Sequence, residues 1–373
     1  MIPEKENKTV LICPLDWGLG HAARCVPVIN AFLKKGLDVI IAADKGALAF
    51  LKQAFSGREV TFVVLPFKTI KYQKRGSFFL KFLLLSPSIL YHIYKEHKEL
   101  EKIITEYGVD YIISDNRYGL WCKKTPCVFI THQVFVRAPA MLRWLEPFMY
   151  MANKFFINKY DYLWVPDMPG HVNLSGALSH KRKLKKARFV GVLSRFSELD
   201  EQTGSNPLPK EFPDNFILAM LSGPEPQRSI LENILFAELK ENDEAVVFLR
   251  GKADSDKVSV YGNRIIFDHL PTENILYLIK NANLIISRSG YTTLMELSFF
   301  RKKAIFIPTP GQTEQEYLGK LMHSRKYCLS VSQKSICLKK QLSEVKEFSG
   351  LPDVGQSSKD LLHSSIDELL KCR

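Results

Sequence analysis

A histidine follows a glycine-rich turn near the start of the chain. The segment PLDWGLGH ends at His21, with Gly18 and Gly20 just before it. The turn separates an apolar run from a helical pattern, so we expect it at the carboxyl end of a strand, where doubly wound sheets bind ligands. A neutral imidazole in the first helical turn can accept a proton near neutral pH, and the N-terminal end of the helix favours its neutral form. The pattern indicates that His21 is a general base and that the two glycines let a ligand approach the backbone.

Two other interpretations of this motif stay open. Gly18, Gly20 and Ala23 also fit the loose dinucleotide-binding pattern, and Asp44 ends the next apolar run, where the ribose-binding acid of a dehydrogenase would lie. The bulk of His21 directly after the second glycine would crowd a pyrophosphate. The simplest alternative is a tight turn followed by a surface histidine.

A second group of polar residues follows an apolar run in the other half of the chain. The stretch IISRSGYTTLMEL places Ser289 and Gly290 immediately before a helical pattern. The first N–H groups of that helix, with the hydroxyls of Ser289 and Thr292, form a candidate phosphate site. Glu296 lies further along the same helix, where its carboxylate can accept from both hydroxyls of a ribose. A solvated helix carboxylate is the alternative.

Two further strand ends bring polar groups to the same edge. The stretch PTPGQTEQ ends at Gln315, whose amide can bond sugar hydroxyls. Ser222 and Gly223 follow another apolar run and offer backbone for close approach by a ligand. In the first half, His132 and Gln133 follow the run VFIT and are candidates to line the acceptor side. An ordinary loop histidine is an equal alternative for His132.

Strands and helices must alternate to position these residues. Six short Val-, Ile- and Phe-rich runs in each half alternate with helical patterns, which predicts an α/β fold of two Rossmann-like, doubly wound parallel-sheet domains with a cleft between them. The segment 197–214 is polar and proline-rich, typical of a linker. We therefore expect an acceptor-side domain over 1–196 and a donor domain over 215–356. An amphipathic helix over 357–373 is expected to pack back on the first domain.

The order and content of these motifs resemble the GT-B glycosyltransferases, most closely the MurG-like branch of glycosyltransferase family 28. The pattern SRSG…T..E followed by P.PG..E.E carries the resemblance, together with the glycine–glycine–histidine turn. It implies transfer of a sugar from a nucleotide-diphosphate donor, a UDP-sugar such as UDP-GlcNAc, to an acceptor hydroxyl, with His21 as base. The stretch GLGHAARC also resembles PseG-like hydrolases, which share the fold and cleave a nucleotide-sugar bond with water.

The resemblance also implies roles for individual residues of the second half. Backbone around Leu270, with His269 nearby, would recognise the nucleobase. Ser222, Gly223, Ser289 and Gly290 would face the diphosphate, Glu296 the ribose, and Gln315 the donor sugar. The implied site needs no metal and no cofactor beyond the nucleotide-sugar co-substrate, because helix N-termini and backbone N–H groups stabilise the leaving diphosphate.

The excess of positive over negative charge lies in the first half of the chain. The net charge is +13, with 30 Lys/Arg against 15 Asp/Glu over residues 1–195 and 22 against 24 over the remainder. Four cations (Lys68, Lys71, Lys74, Arg75) precede the apolar run Phe78–Leu90, and HKRKLKKAR (180–188) adds six. This pattern indicates an anionic membrane surface and a lipid-linked or cell-envelope acceptor. A core helix over Phe78–Leu90 is an equal alternative.

The remaining composition limits location and partners. Seven cysteines, without a C-x-x-C pair, indicate neither a disulfide framework nor a zinc site. The charged N-terminus shows no secretory signal. A cytoplasmic enzyme, peripheral at the inner face of the membrane, is expected. Nucleic acid is not expected as a partner, since the basic runs lack interleaved aromatic residues.

Overall fold

The chain divides into two compact units. The computed structural model describes residues 7–66, 86–182, 184–199, 204–223, 225–240, 243–252 and 255–371. The first unit holds the described residues up to Ser197 and those from Gln356 onward, and the second spans Glu198–Gly355. The cations Lys68, Lys71, Lys74 and Arg75, and most of the run Phe78–Leu90, lie outside the described residues.

The first unit is built on a seven-stranded parallel sheet of order β3-β2-β1-β4-β5-β6-β7. Its strands are β1 (Thr9–Pro14), β2 (Asp38–Ala43), β3 (Val60–Val64), β4 (Tyr111–Asp115), β5 (Cys127–Ile130), β6 (Tyr162–Val165) and β7 (Ala187–Phe189). Its helices are α1 (Leu19–Lys34), α2 (Lys45–Ala54), α3 (Ser86–Tyr107), α4 (Glu146–Ile157) and α5 (Ala177–His180), with a 3₁₀ segment (Ala140–Leu145) before α4. Every residue of β1, β4 and β5 is buried, which explains their continuous apolar sequence.

The second unit has a sheet of order β10-β11-β9-β8-β12-β13-β14. Its strands are β8 (Phe216–Met220), β9 (Ala245–Leu249), β10 (Val258–Tyr261), β11 (Arg264–Phe267), β12 (Leu284–Ser287), β13 (Ala304–Phe306) and β14 (Leu329–Ser330). Its helices are α6 (Gln227–Glu238), α7 (Thr272–Asn281), α8 (Tyr291–Ser298), α9 (Thr313–Ser324) and α10 (Leu338–Glu344). All strand pairs are parallel except β10 with β11. The prediction of two Rossmann-like α/β sheets is confirmed, with an antiparallel edge strand as the correction.

Three short elements escaped the sequence analysis. Strand β10 is mostly exposed at the sheet edge, so burial imposes no apolar run on it. Helix α5 has only four residues. Strand β7 begins within the basic stretch 180–188, where charge conceals the strand pattern. Part of that charge is paired, because Arg188 forms a salt bridge with Glu368 at 2.8 Å.

The last helix, α11 (Gly355–Lys371), packs on the first unit. The Val192 N–H donates to Ser358 Oγ at 3.0 Å. Gly191 has φ of +72°, and a Cβ there would lie 2.3 Å from Ser358 Cα, so only glycine permits this approach. Lys35 and Asp367 add an ion pair at 2.5 Å. Among the described helices, none combines the length and the apolar character needed to cross a membrane.

Candidate functional site

His21 lies in the first turn of α1, directly after the loop that leaves β1. Gly18 is the N-cap residue and has φ of +74°, a conformation that glycine adopts without strain. Gly20 is already part of the helix. Of these two glycines, only Gly18 has the positive φ that favours glycine.

The imidazole of His21 is held by a buried carboxylate. Its Nδ1 lies 3.1 Å from Oδ2 of Asp115, and the two side chains are 17% and 0% exposed. An ionised carboxylate can only accept a hydrogen bond, so the hydrogen of the neutral ring is placed on Nδ1. Nε2 is then the nitrogen with a lone pair. This tautomer is the one that a general base requires.

Arg24 joins this pair to a second histidine. Its Nε donates to Asp115 Oδ2 at 2.8 Å, and a second guanidinium nitrogen donates to the other carboxylate oxygen. Its Nη1 donates to His132 Nδ1 at 3.2 Å. Arg24 and His132 are both buried. His21, Arg24, Asp115 and His132 thus form one connected group, which we call the His21 cluster.

The topology of the sheet assembles the cluster. Strands β1 and β4 lie side by side, and the chain leaves them in opposite directions along the sheet, from β1 through α1 to β2 and from β4 through a loop to β5. Asp115, the last residue of β4, pairs in register with Pro14 of β1 and with Ile130 of β5. His21 follows β1 and His132 follows β5. The cluster therefore lies at the topological switch point, where α/β sheets bind their ligands.

Burial and the neighbouring charges shift the pKa values of Asp115 and His21. Burial alone would raise the pKa of Asp115, but Arg24 and His21 lower it to about 2. Burial is the largest cause that lowers the pKa of His21, and the Arg24 charge adds to it, while Asp115 offsets part of the effect. His21 is therefore neutral, and Asp115 ionised, at neutral pH.

The lowered pKa of His21 predicts a pH dependence. A base that must be neutral loses activity as pH falls through its pKa, and here that pKa lies below the ordinary 6.5. We expect turnover to stay level from pH 8 down to about 6.5 and to fall only at lower pH. A pH profile of kcat at saturating substrates checks this. An acidic limb centred above pH 7 would contradict the assignment of the limb to His21.

Sequence reasoning missed Asp115 and Arg24. Asp115 directly follows the predicted strand DYIIS. Its role depends on β4 lying next to β1, which the chain order alone does not reveal. Arg24 lies one turn after His21 on the same helix, so its position on the same face was detectable. An arginine in an otherwise apolar helical stretch was the available signal.

His132 and Gln133 are both connected to buried groups. His132 is in the His21 cluster, and the Gln133 carbonyl accepts from Asn153 Nδ2 at 2.8 Å. Asn153 also donates to the Val134 carbonyl at 3.0 Å, so α4 fixes the loop after β5. His132 is buried and bonded to Arg24, which distinguishes it from an ordinary loop histidine at the surface.

In the second unit, two predicted loops meet at the corresponding edge. Strands β8 and β12 are parallel neighbours, with Met220 paired to Ser287. From β8 the chain continues to β9 on one side, and from β12 it continues to β13 on the other side. Ser222 and Gly223 follow β8, while Ser289 and Gly290 follow β12. Both pairs therefore leave carboxyl ends at the switch point of the second sheet. Gly223 is exposed, has φ of +99°, and has open space where a Cβ would lie.

The side chains of Ser289 and Gln315 differ from expectation. Ser289 is fully buried and its hydroxyl donates to the Gln315 carbonyl at 2.8 Å, so this hydrogen is not offered to a phosphate. The Gln315 Oε1 atom accepts from the Thr309 N–H at 2.8 Å. The first bond holds α9 against the loop after β12, and the second holds it against the loop after β13. What this loop offers a phosphate is backbone, together with the N-terminus of α8 that begins after Gly290.

The remaining predicted residues lie on the same elements as expected. Thr292 is half-buried in the first turn of α8, and Glu296 is 4% exposed near the end of that helix. His269 is half-buried and Leu270 is buried, both just beyond β11. The burial of Glu296 argues against an ordinary solvated helix carboxylate.

A buried arginine that sequence reasoning passed over positions these loops. Arg288 donates to the carbonyls of Ile307 at 3.0 Å, Pro308 at 3.2 Å and Gln227 at 2.8 Å. It thereby ties the end of β12 to the loop after β13 and to the first residue of α6. Burial lowers the pKa of Arg288 to about 10, which still leaves it charged at neutral pH.

Comparison with known families and proteins agrees with this geometry. Residues 227–350 match the family model of the glycosyltransferase family 28 C-terminal domain. The match covers the elements from α6 to α10, including Ser289, Glu296 and Gln315. It therefore contains most of the loops at the edge described for the second unit.

Curated relatives are UDP-N-acetylglucosamine–N-acetylmuramyl-(pentapeptide) pyrophosphoryl-undecaprenol N-acetylglucosamine transferases. The protein of Rickettsia prowazekii is 32% identical over 100 residues, which span 26% of this chain and 24% of the relative. The protein of Campylobacter jejuni is 24% identical over 332 residues, or 86% of this chain and 84% of the relative. The stronger identity is thus confined to about a quarter of the relative's length.

A solved structure shows the same fold over almost the whole chain. MurG of Acinetobacter baumannii superposes with a TM-score of 0.57 at 13% identity, covering 96% of this chain and 99% of that one. At this identity the likeness establishes the fold. The family match over residues 227–350 and this shared fold confirm the resemblance of the chain to the MurG-like GT-B glycosyltransferases.

Proposed function

We propose that this protein transfers a sugar from a nucleotide-diphosphate donor to a hydroxyl of a lipid-linked acceptor, with His21 as the general base. The observation that supports the base is the His21–Asp115 pair, which leaves Nε2 as proton acceptor at a topological switch point. The donor class follows from the family 28 domain at residues 227–350. The relatives' names give the specific form of the proposal, UDP-GlcNAc as donor and a pyrophosphoryl-polyprenol as acceptor.

The proposed reaction is a displacement at the anomeric carbon. The acceptor hydroxyl gives its proton to His21 Nε2 while its oxygen forms the bond to the sugar. The bond between that carbon and the diphosphate oxygen breaks, and the nucleoside diphosphate leaves. In-line displacement of this kind inverts the anomeric configuration. Asp115 stabilises the imidazolium that forms, and Arg24 keeps Asp115 ionised and in place.

The second unit is proposed to hold the donor. The N-terminus of α8 and the backbone at Ser222–Gly223 and Ser289–Gly290 would bind the diphosphate. Glu296 would accept from the ribose hydroxyls, and backbone at Leu270, beside His269, would recognise the base. Gln315, with its Oε1 engaged by Thr309, would contact the donor sugar through the rest of its amide.

Metal independence is part of the proposal. The chain has an Asp-x-Asp triplet, Asp254-Ser255-Asp256, between β9 and β10, and such triplets hold metal ions in other glycosyltransferases. The Ser255 hydroxyl donates to Asp268 Oδ2 at 2.7 Å, and Asp254 lies outside the described residues. Helix N-termini supply the charge stabilisation that the leaving diphosphate requires. The assay below is therefore run with and without EDTA, and equal rates are expected.

A transfer assay tests the function and separates it from its main alternative. A thermal-shift screen of UDP-, GDP-, CMP- and dTDP-sugars first identifies the donor, because a ligand of the native state raises the midpoint. The donor is then incubated with a polyprenyl-pyrophosphate acceptor or in water alone. Acceptor-dependent release of nucleotide and a glycosylated lipid are expected. Equal release in water alone would make the protein a PseG-like hydrolase, in which His21 deprotonates water.

Replacing Glu296 with glutamine is expected to weaken donor binding. A carboxylate that accepts two hydroxyl hydrogen bonds loses about 1.5–3 kcal/mol when its charge is removed, so the Kd should rise about 10- to 150-fold. Isothermal titration calorimetry with the donor measures this change. Glu273→Gln, at an exposed carboxylate in the first turn of α7, is the matched control and should bind normally. Equal affinity of wild type and Glu296→Gln would remove the ribose assignment.

Location follows the same proposal. An enzyme with a lipid-linked acceptor and a nucleotide-sugar donor works in the cytoplasm at the inner face of the membrane. The excess of positive charge in residues 1–195 supports attraction to an anionic leaflet. We propose a peripheral association of the first unit with that surface and no role for nucleic acid.

A further inference from the structure

An exposed apolar stripe runs along the 3₁₀ segment and α4 of the first unit. It consists of Met141, Trp144, Phe148, Met151 and Phe155, whose exposed fractions lie between 62% and 91%. Phe148, Met151 and Phe155 are three and four residues apart on α4, so they share one face of that helix. Met141 and Trp144 continue the same spacing in the 3₁₀ segment before it. Large apolar side chains gathered on one surface mark an interaction site. Scattered single residues would need no explanation.

The stripe faces away from the body of the unit. At about 100° per residue, Phe148, Met151 and Phe155 lie within an arc of about 60°, opposite Asn153 and Ile157. Asn153 and Ile157 are buried, as is Glu146. Helix α4 therefore buries the polar side chains of Glu146 and Asn153 and exposes the apolar side chains of Phe148, Met151 and Phe155.

The charges around the stripe are positive. Glu146 is the single acidic residue of 140–157, and it is buried with its Oε1 accepting from the Ala138 N–H at 3.2 Å. Arg143 and Lys154 are exposed. Lys159 Nζ lies 5.0 Å from the ring centre of Phe155, and Arg182 Cζ lies 5.8 Å from that of Tyr150 on α4. The surface therefore combines exposed apolar rings with cations.

This charge pattern selects the occupant of the surface. Spacing of three and four also suits a helix seam between two copies of the chain. A two-fold seam would, however, bring the same cations of two copies together without an exposed carboxylate on 140–157 to pair them. An anionic bilayer matches both features, since acyl chains accept the rings and anionic headgroups attract Lys and Arg.

We propose that the apolar stripe is the element by which the first unit docks on an anionic lipid bilayer. This inference rests on the proposed function for its purpose, because a lipid-linked acceptor is held in such a surface. The stripe lies among the described residues and does not overlap in sequence with the run Phe78–Leu90.

Docking at the stripe would act on the His21 cluster through the loop after β5. Asn153 of α4 donates to the carbonyls of Gln133 and Val134, and Glu146 holds the Ala138 N–H. His132, next in sequence to Gln133, contacts Arg24 of the cluster. The helix that meets the bilayer is thus bonded to the loop that supplies an acceptor-side residue.

Vesicle flotation of the full chain tests the docking surface, without donor or acceptor present. Wild type should float with vesicles of phosphatidylcholine containing about 30% phosphatidylglycerol. The double variant Trp144→Gln/Phe148→Gln should lose at least about tenfold in partitioning, because two rings no longer enter the acyl region. Val260→Gln/Tyr261→Gln, at exposed apolar positions of β10 in the second unit, is the matched control and should float like wild type.

A charge variant gives a second, independent readout. Lys154→Glu/Arg182→Glu should lose more than about tenfold on anionic vesicles at low salt and change little on pure phosphatidylcholine. Unaltered partitioning of both double variants would overturn the proposal. So would a dimer in wild type that Trp144→Gln/Phe148→Gln dissociates while vesicle binding is kept, since the stripe would then be an interface between copies.

The test of the docking surface can fail independently of the proposed sugar transfer. If the protein transfers sugar, Trp144→Gln/Phe148→Gln should keep wild-type transfer to a short-chain, water-soluble acceptor and lose it only with acceptor embedded in vesicles. If wild type transfers sugar to neither acceptor, the proposed function fails, while flotation still decides the docking surface.

Discussion

Replacing His21 with alanine is expected to lower the turnover number by about 10²–10⁴ while leaving donor affinity nearly unchanged. The His21 side chain is the proposed proton acceptor and belongs to the first unit, whereas the donor is proposed to bind the second unit. Steady-state kinetics with saturating donor and acceptor measure kcat, and calorimetry measures donor affinity. An unchanged kcat would rule out the role of base.

A second His–Asp pair in the first unit provides the control. His180 Nε2 lies 3.2 Å from Asp167 Oδ2, with exposed fractions of 19% and 0% for the two side chains, close to those of His21 and Asp115. Asp167 also accepts from the N–H groups of Leu174 and Ser175, as expected of a group that holds a loop. His180→Ala should therefore cost similar stability and leave turnover within about twofold of wild type. Equal loss of turnover in both variants would indicate a structural effect.

Replacing Asp115 with asparagine is expected to affect both stability and turnover. Arg24 would remain buried with its charge unpaired, and breaking a buried pair in this way costs about 3–5 kcal/mol in the free energy of unfolding. Asparagine can also donate to His21 Nδ1, which favours the tautomer that lacks a proton acceptor at Nε2. Turnover should therefore fall by an amount comparable to that of His21→Ala.

Urea unfolding and a double-mutant cycle measure the first effect. Each unit has a buried core of its own, so the shift should be confined to the transition of the first unit. Adding Arg24→Met to Asp115→Asn should recover part of the stability, since the unpaired charge is removed with its partner. Turnover should stay low in that double variant. Full stability of Asp115→Asn alone would contradict the buried ion pair.

The pH dependence of stability gives an independent check on the same residue. The pKa of Asp115 is about 2 in the folded protein against 3.8 as its ordinary value, so it is depressed by folding. The resulting stabilisation, about 2 kcal/mol, is complete above about pH 4 and is lost as pH falls towards 2. Asp115→Asn should lack this loss because its side chain does not titrate.

The local sequence was sufficient for most elements of the fold. All twelve predicted strands exist. The central strands β1, β4, β5, β9 and β12 are fully buried, and burial on both faces of a parallel sheet demands a continuous apolar run. Helix α9, from Thr313 to Ser324, is one of the helices that the strand–helix alternation predicts. Edge elements such as β10 failed because exposure removes that constraint.

The candidate site was only half visible in the sequence. His21, Ser289 and Glu296 could be named as candidates because each lies close in sequence to a glycine turn, and such local signals are readable without coordinates. The Ser289 hydroxyl was misjudged because its bond to the Gln315 carbonyl joins two loops that are distant in the chain. Asp115 was missed for the same reason.

The sequence by itself determined the strand–helix alternation, the glycine turns and the family 28 motifs, because each depends on residues within a few turns of one another. Only the tertiary structure decided which strands are neighbours. That adjacency places Asp115 and Arg24 against His21 and sets the imidazole tautomer. The apolar stripe on α4 likewise became visible only in the fold, since burial of Glu146 and Asn153 turns the aromatic face of that helix outward.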